Sequence, residues 1–243
     1  SYIGVNAGFV IAVADDPGMH SSQNEQDSRY YAQAAKIMML EPSDSQEAKD
    51  FTKKAFDLSE RFDTPVLIRL STRVSHSQSL TSLEERAEIP LKDYVKNPQK
   101  NVMMPAMARI KHEVVEERVL KQKEFAYESD LNQICIKDPK IGFISSGIAF
   151  QYALEAMPNA SYLKLGIVYP ISEDLLKKFA SSVEKVYVVE ELEPVIETVC
   201  KACGIHVTGK EILPITNEYS VELIRNRIFG EKTFNYMDGY DMS

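Results

Sequence analysis

The side chains best suited to chemistry lie together in residues 15 to 29, which read DDPGMHSSQNEQDSR. This stretch combines one histidine with carboxylates, hydroxyls, amides and an arginine. Histidine side chains exchange protons near neutral pH, and hydroxyl and amide groups form hydrogen bonds with the oxygen atoms of organic acids. We therefore interpret the stretch as a candidate binding or catalytic loop.

A structural interpretation of the loop uses the same residues. Asp15-Asp16-Pro17-Gly18 is also a turn sequence, and Ser21, Ser22 and Asn24 are frequent helix caps. A serine hydrolase built from His20 and its neighbouring serines is disfavoured, because adjacent side chains rarely point at each other and the sequence has no Gly-x-Ser-x-Gly turn. The residues alone leave the binding and structural interpretations open.

An apolar run, residues 8 to 14, precedes the loop. Its sequence, GFVIAVA, does not alternate with polar residues, which predicts a strand buried on both faces of a parallel sheet. In open α/β sheets, ligands bind beyond the carboxyl ends of the strands. The position of the loop directly after this strand supports a site there.

Hydrophobic periodicity predicts alternating strands and helices in the first block of the chain, which is typical of an α/β fold. The second helix is the clearest, because apolar residues recur at steps of three and four along one face. A capping box of Ser43 and Gln46 is expected at its start, and Pro65 follows its end. The expected strands are 9–14, 37–40 and 66–70, and the expected helices are 25–35 and 44–62.

A second block of α/β alternation begins near residue 141. Local signals mark its helices, with Ser172 as an N-cap, Pro194 in a first turn and Gly204 as a C-terminal stop. The expected order is a strand from 141, a helix through 149–156, strand 161–168, helix 173–182, strand 186–189, helix 194–203, strand 205–208 and a helix at 218–228 that ends at Gly230.

Composition excludes several classes of protein. The chain has 243 residues and carries 36 acidic against 28 basic residues, a net charge of -8, which argues against nucleic acid or an anionic membrane as a partner. It has no apolar run long enough to cross a membrane and no signal-peptide pattern, so we expect a cytoplasmic protein. Its three cysteines include the pair Cys200 and Cys203, which falls in a helical pattern and is expected to be structural.

The two blocks suggest four segments. We expect one domain in residues 1–72, a connection with some helix near 107–128 in residues 73–139, a second domain in residues 140–230 and a tail in residues 231–243. The chain starts at Ser1 without an initiator methionine, and its first block has few strands for an independent sheet. We therefore expect a fragment of a longer protein.

Three segments resemble a known family. They are SYIGVNAG at residues 1–8, the loop at residues 15–29 and EPSDSQEA at residues 41–48. They are similar to the alpha subunit of indolepyruvate:ferredoxin oxidoreductase, a thiamine-diphosphate-dependent 2-oxoacid:ferredoxin oxidoreductase. The likeness is specific through about residue 77, and residues 141–210 more loosely resemble a transketolase C-terminal domain.

The resemblance implies an α/β fold with two domains and mainly parallel sheets, the first a partial pyrimidine-binding domain. It implies an enzyme that decarboxylates arylpyruvates, transfers the acyl group to coenzyme A and reduces ferredoxin, with a beta subunit as partner and a homodimer as a further expectation. It places the loop near thiamine and the 2-oxoacid. The catalytic residues expected from it are His20 and Asn24, and the lining residues are Ser21, Ser22, Glu25, Gln26, Asp27 and Arg29.

The sequence also departs from the family pattern. The glutamate that activates thiamine lies upstream of residue 1 in the family, and the diphosphate-binding motif is absent, since the nearest match is Asp238-Gly239 in the tail. Cysteines in the tight series that binds iron–sulfur clusters are also absent. Thiamine diphosphate, magnesium and 4Fe-4S clusters are therefore expected in the parent enzyme and not on this chain, which alone should be inactive.

Two further expectations concern an acidic group in the second block and an alternative, non-catalytic role for the chain. In transketolase-like domains an acidic group resembling Glu190, Glu191 and Glu193 makes mostly domain contacts, so an interface role is expected here. The alternative for the whole chain is a non-catalytic α/β module for binding or oligomerisation, which would use its acidic surface and its exposed half-sheet.

Overall fold

The computed structural model describes residues 1–86 and 88–230. Within these residues the chain alternates between strands and helices. The strands are β1 (Val10–Asp15), β2 (Met39–Leu40), β3 (Val66–Ser71), β4 (Gln133–Cys135), β5 (Asp138–Ser146), β6 (Ala160–Leu165), β7 (Ile167–Tyr169), β8 (Lys185–Val189) and β9 (Val207–Thr208). The helices are α1 (Arg29–Ala35), α2 (Ser45–Phe62), α3 (Thr72–His76), α4 (Pro98–Asn101), α5 (Pro105–Glu128), α6 (Gly147–Ala156), α7 (Glu173–Ala180), α8 (Val195–Ala202) and α9 (Val221–Phe229).

The described strands form two mainly parallel sheets. The first has the order β1-β3-β2-β7, with β1 and β2 parallel to β3 and β7 antiparallel to β2. The second has the order β4-β6-β5-β8-β9, in which β4 alone runs antiparallel to its neighbour. The predicted α/β class with mainly parallel sheets is confirmed.

The first strand is an edge strand. Ile11 and Val13 pack against the core, whereas Ala12 and Ala14 are exposed, and Phe9 just before the strand is 53% exposed. The prediction of a strand buried on both faces was therefore wrong. The physical reason is that β1 has a neighbour on only one side, so its apolar sequence is only half used in the core.

The predicted strand 161–168 is in fact two strands. Gly166 separates β6, which pairs with β5 in the second sheet, from β7, which pairs with β2 in the first. A side chain at Gly166 would lie 2.2 Å from the carbonyl oxygen of Leu131, so only glycine allows this close backbone passage. The first sheet thereby gains a strand from the second block of the chain.

Helix α2 forms as its apolar spacing predicts, with Phe51, Ala55 and Leu58 buried. Its cap differs from the expected box of Ser43 and Gln46. Asp44 is the N-cap and accepts a hydrogen bond from the Glu47 backbone N–H, and the Glu47 carboxylate accepts hydrogen bonds from the backbone N–H and hydroxyl of Ser43. Asp44, one residue after the predicted Ser43, thus accepts the hydrogen bond from the first turn of the helix that was expected of the serine.

Other helix limits agree closely with the sequence signals. Ser172 caps α7, Pro194 is the N-cap of α8, and Gly204 and Gly230 have the positive φ angles that end helices. The first helix begins at Arg29 and not at residue 25, because residues 15–28 form the polar loop. No helix in the described part of the chain is both long and apolar enough to cross a membrane.

The two blocks of the chain share a hydrophobic core. One buried cluster contains Ala32, Met39 and Leu67 from the first block together with Leu176 and Phe179 from the second. The expected domain limits at residues 72, 139 and 230 remain a prediction. The expected tail at residues 231–243 lies outside the described residues.

The connection between the blocks begins with a segment that we call the arm, residues 77–97. Apart from Ala87, which is not described, the arm has no helix or strand. Its Lys92 and Glu84 pair with Glu60 and Lys53 of α2, while its large apolar side chains face solvent. Those that are more than 70% exposed are Leu80, Leu83, Ile89, Leu91, Tyr94 and Val95. The expected helix near 107–128 is confirmed as α5.

Candidate functional site

The carboxyl ends of strands from both sheets meet between the two blocks. Ser146, at the end of β5, donates a hydrogen bond of 2.9 Å to Glu41, which follows β2. Arg29, after the loop that follows β1, donates one of 2.6 Å to Glu190, which follows β8. In α/β proteins such a convergence of strand ends is the usual place for a ligand.

Asp16 shapes the turn of the loop. One of its carboxylate oxygens accepts hydrogen bonds of 3.0 Å from the backbone N–H groups of Ser21 and Ser22, and the other accepts one of 2.5 Å from the Thr72 hydroxyl. These bonds, with that from Ser21 foremost, hold the pKa of Asp16 well below its ordinary value. Asp16 therefore remains an anion that fixes the backbone around His20.

His20 lies opposite a loop of the second block. Its Nε2 atom is 3.2 Å from the Glu218 carboxylate, which also accepts hydrogen bonds of 2.5 Å from both Nε and Nη2 of Arg73. The bond from Arg73 lowers the pKa of Glu218, and that bond also raises the pKa of Arg73. This arrangement places one carboxylate between a histidine and an arginine.

Glu25 also attaches the loop to the second block. One of its oxygens accepts hydrogen bonds of 2.5 Å from Gly18 N–H and 2.9 Å from Asn217 N–H. Asn24 and Gln26 flank Glu25 in the chain, and the Asn24 amide is 3.4 Å from the Gln26 side-chain oxygen. Ser21, Ser22 and Asn24 are open to solvent and available to a ligand.

Asp27 and Arg29, by contrast, point inward. The Arg29 guanidinium bonds to both oxygens of Asp27, to Glu190 and to the backbone carbonyls of Glu191 and Glu193. Burial opposes ionisation of Asp27, but Arg29 and then Arg69 outweigh it and hold its pKa at about 2. Both side chains fasten the loop to the second block, and their predicted lining role remains a prediction.

Arg69 of β3 extends this inner group. It donates hydrogen bonds of 2.5 Å to both Asp15 and Glu41, and its Nη2 atom has no hydrogen-bond partner among the described residues and lies 3.9 Å from Asp27. We call the whole set the buried ion network; its members are Asp15, Asp27, Arg29, Glu41, Arg69 and Glu190. Arg69 and Glu41 were not expected from the sequence, although an arginine inside the apolar run VLIRL is a signal that could have indicated a buried partner.

The acidic group after β8 contacts the first block through Arg29, which bonds to the Glu190 carboxylate and to the backbone carbonyls of Glu191 and Glu193; its predicted interface role remains a prediction. Glu190 binds Arg29, and the carboxylate of Glu191 accepts a hydrogen bond of 2.7 Å from the Tyr219 N–H. Burial raises the pKa of Glu191 to about 7. Through this hydrogen bond Glu191 holds the backbone beside Glu218.

The described residues contain no group of three His, Cys, Asp or Glu side chains placed to hold a metal ion. Cys135, Cys200 and Cys203 are free, and burial raises the pKa of Cys200 to about 12. Asp238-Gly239 lies outside the described residues. The hydroxyl, amide and imidazole groups of the polar loop are of the kinds that form hydrogen bonds with an organic acid.

A family model described as pyruvate flavodoxin/ferredoxin oxidoreductase, thiamine diphosphate-binding, matches residues 8–135. The chain belongs to this family. The match includes β1, the polar loop, Arg69, Arg73 and the arm. The members of the family to which the chain is similar include several curated proteins.

Those relatives carry the name indolepyruvate oxidoreductase subunit IorA. The protein from Archaeoglobus fulgidus is 38% identical over 94% of this chain, that from Methanothermobacter marburgensis 40% over 95%, and that from Pyrococcus abyssi 39% over 97%. The chain covers only 38% to 40% of the length of these relatives. It thus spans about two fifths of the proteins that it matches.

Solved structures agree on the fold. A 2-oxoglutarate:ferredoxin oxidoreductase from Magnetococcus marinus, with 2-oxoglutarate, coenzyme A and succinyl-CoA bound, gives a TM-score of 0.61 at 12% identity and covers 90% of this chain and 48% of that one. A split-gene transketolase, an inactive beta4 tetramer, gives 0.51 at 16% identity and covers 93% and 63%. At these identities the likeness establishes the α/β fold.

Proposed function

We propose that this chain is part of the alpha subunit of an indolepyruvate:ferredoxin oxidoreductase. The enzyme would oxidatively decarboxylate indolepyruvate and other arylpyruvates to aryl-acetyl-CoA and reduce ferredoxin. The observation that carries the proposal is the 38% to 40% identity to IorA proteins over at least 94% of the chain. The placement of the polar loop at the carboxyl ends of β1 and β3 supports it.

In this proposal the exposed side of the loop faces the 2-oxoacid. His20 exchanges a proton with the substrate, and Asn24 forms a hydrogen bond with one of its oxygens. Ser21, Ser22, Glu25 and Gln26 line the same surface. Asp27 and Arg29 lie beneath this surface, because their side chains are buried in the ion network. There they hold the loop in position.

The cofactors are proposed for the whole enzyme. Thiamine diphosphate is expected from the family, with magnesium, 4Fe-4S clusters and the beta subunit completing the cytoplasmic enzyme; coenzyme A and ferredoxin would meet that assembly. A pair of alpha subunits is a further expectation. This chain contributes the substrate-facing loop and contact surfaces to that enzyme.

The test uses the full-length alpha subunit with its beta subunit. We expect reduction of ferredoxin that depends on both indolepyruvate and coenzyme A. His20→Ala should lower kcat by about 100-fold, since general acid–base groups contribute at least that much, and Asn24→Ala should lower kcat/KM. Lys53→Ala, which removes an exposed ion pair on α2, is the control and should leave the rates unchanged.

Wild-type rates in both loop variants would refute the assignment of the loop. A natural gene product that ends near Ser243 and is inert with the beta subunit would refute the enzyme and favour the non-catalytic binding module. The exposed apolar side chains of the arm are the observation that favours such a module.

A further inference from the structure

We infer that Arg73 and His20 form a binding site for the carboxylate of the 2-oxoacid substrate, and that Glu218 is an internal carboxylate that competes with the substrate for this site. The inference rests on the proposed function and adds to it a substrate-binding arginine and an antagonist. Neither Arg73 nor Glu218 is among the residues that the sequence predicts for this reaction.

The geometry is that of a bound carboxylate. The Nε and Nη2 atoms of Arg73 each lie 2.5 Å from a different oxygen of Glu218, and Nε2 of His20 lies 3.2 Å from one of those oxygens. A two-point contact of this kind is specific for planar anions such as carboxylates, because the guanidinium donors are fixed in one plane. The carboxylate of Glu218 therefore shows where another carboxylate can bind.

The position in the fold favours a ligand over a purely structural pair. Arg73 follows β3 and His20 follows β1, and these strands are hydrogen-bonded neighbours with Asp15 opposite Ser71. Both residues thus extend from the carboxyl ends of adjacent parallel strands, where ligands of α/β proteins bind. The exposed hydroxyls of Ser21 and Ser22 follow His20 directly and can meet the adjoining keto group of a 2-oxoacid.

Glu218 is placed so that it can be replaced. The Arg73 side chain is 51% exposed and the Glu218 side chain 28% exposed, so solvent and ligand can reach the pair. Replacing Glu218 by the carboxylate of a substrate exchanges one two-point contact at Arg73 for another of the same kind, so the exchange has a small free-energy cost. Glu218 also lies in the irregular segment 214–220 and not in a helix or strand.

The experiment measures KM for indolepyruvate in the full-length alpha–beta enzyme with Arg73→Ala, Arg73→Lys and Glu218→Gln. Arg73→Ala should raise KM by about 10- to 100-fold, the effect of losing hydrogen bonds to a charged group, while kcat changes much less. Arg73→Lys should recover part of this loss. Glu218→Gln should lower KM several-fold, because it removes the competing anion.

The opposite direction of the Arg73 and Glu218 effects is decisive. A structural salt bridge would give KM changes of the same sign in Arg73→Ala and Glu218→Gln, and that result would overturn the inference. A changed KM for coenzyme A with an unchanged KM for indolepyruvate would also overturn it, since the bound anion would then be a phosphate. Lys53→Ala is the matched control for loss of an exposed cation and should alter neither KM.

Failure of the proposed function gives a different result. If the wild-type enzyme shows no indolepyruvate-dependent reduction of ferredoxin, the reaction itself is wrong and the inference falls with it. If the wild type is active and the Arg73 and Glu218 variants match it, the reaction stands and only the carboxylate site is refuted.

Discussion

Arg29 is among the largest fully buried side chains in the described residues, and its hydrogen bonds go only to carboxylates and backbone carbonyls. Burial alone would lower its pKa, but Glu190 and Asp27 raise it, so the side chain stays charged. A buried cation with several partners contributes little over an apolar core, yet removing it leaves its partners as uncompensated anions. Arg29 is therefore the residue whose loss should affect stability most.

Arg29→Met tests this role. The variant keeps much of the length of the side chain and leaves Asp27 and Glu190 buried without their cation, so the free energy of unfolding should fall by about 3 to 5 kcal/mol. The measurement is urea denaturation followed by circular dichroism. Lys53→Ala should change the same quantity by less than about 1 kcal/mol. An equally small change in Arg29→Met would show that the network does not hold the two blocks together.

Glu191 predicts a dependence of stability on pH. Its pKa is about 7 in the folded chain and near the ordinary 4.5 when unfolded. Below about pH 4.5 both states are protonated; as pH rises to about 7 the unfolded state ionises first, so the free energy of unfolding falls by about 3 kcal/mol. Glu191→Gln should remove this fall and make the variant more stable than wild type at pH 8. Parallel curves from pH 5 to pH 8 would contradict it.

For single residues, the sequence identifies the polar loop but not the buried hydrogen bonds that its side chains make. The density of polar residues between 15 and 29 is visible locally. Arg29 and Glu190, however, are 161 positions apart, and no local pattern relates them. Arg69 belongs to an apolar strand, where periodicity describes burial and gives no partner.

Among the elements, the turn from β5 into α6 supports the ion network. Gly147 has a φ angle of +53°, and a Cβ atom there would lie 2.4 Å from the Glu41 oxygen that binds Arg69. Two requirements thus coincide at one glycine, a left-handed backbone and the space for a buried carboxylate. The junction of β5 and α6 positions Glu41 by leaving room for it.

Gly147→Ala and Gly204→Ala separate these two requirements. Gly204 also has a positive φ of +76°, but a Cβ added there would meet no described atom within 4 Å. Gly204→Ala should lower the free energy of unfolding by about 1 kcal/mol through backbone strain alone. Gly147→Ala should lower it by at least about 2 kcal/mol more, because Glu41 is displaced from Arg69. Equal losses in thermal or urea unfolding would refute the contact.

Helices were easier to predict than strands for a physical reason. The apolar face of α2 is determined by its own residues, Phe51, Ala55 and Leu58, and needs no knowledge of what it packs against. Burial of β1 depends on its place in the sheet, which the sequence does not contain. The break at Gly166 likewise depends on the passage of Leu131, which lies far earlier in the chain.

For the whole molecule, the α/β class followed from alternation along the chain, but the joining of the blocks did not. Strand β7 completes the first sheet from the second block, and one core cluster contains side chains of both. The division of the chain into two domains joined by a connection stays a prediction. Long-range pairing of this kind is decided by tertiary packing and leaves no periodic signal.

The arm is a place where the fold should tolerate a break in the covalent chain. It contributes no strand or helix in its described residues, whereas β7 pairing, the shared core and the buried ion network all connect the blocks without it. A protease that cuts between Leu80 and Tyr94 should therefore produce a nicked molecule whose two pieces travel together on size exclusion and separate only in denaturant. Residues 1–77 and 98–230, produced as two polypeptides, should then associate when mixed and form the same fold.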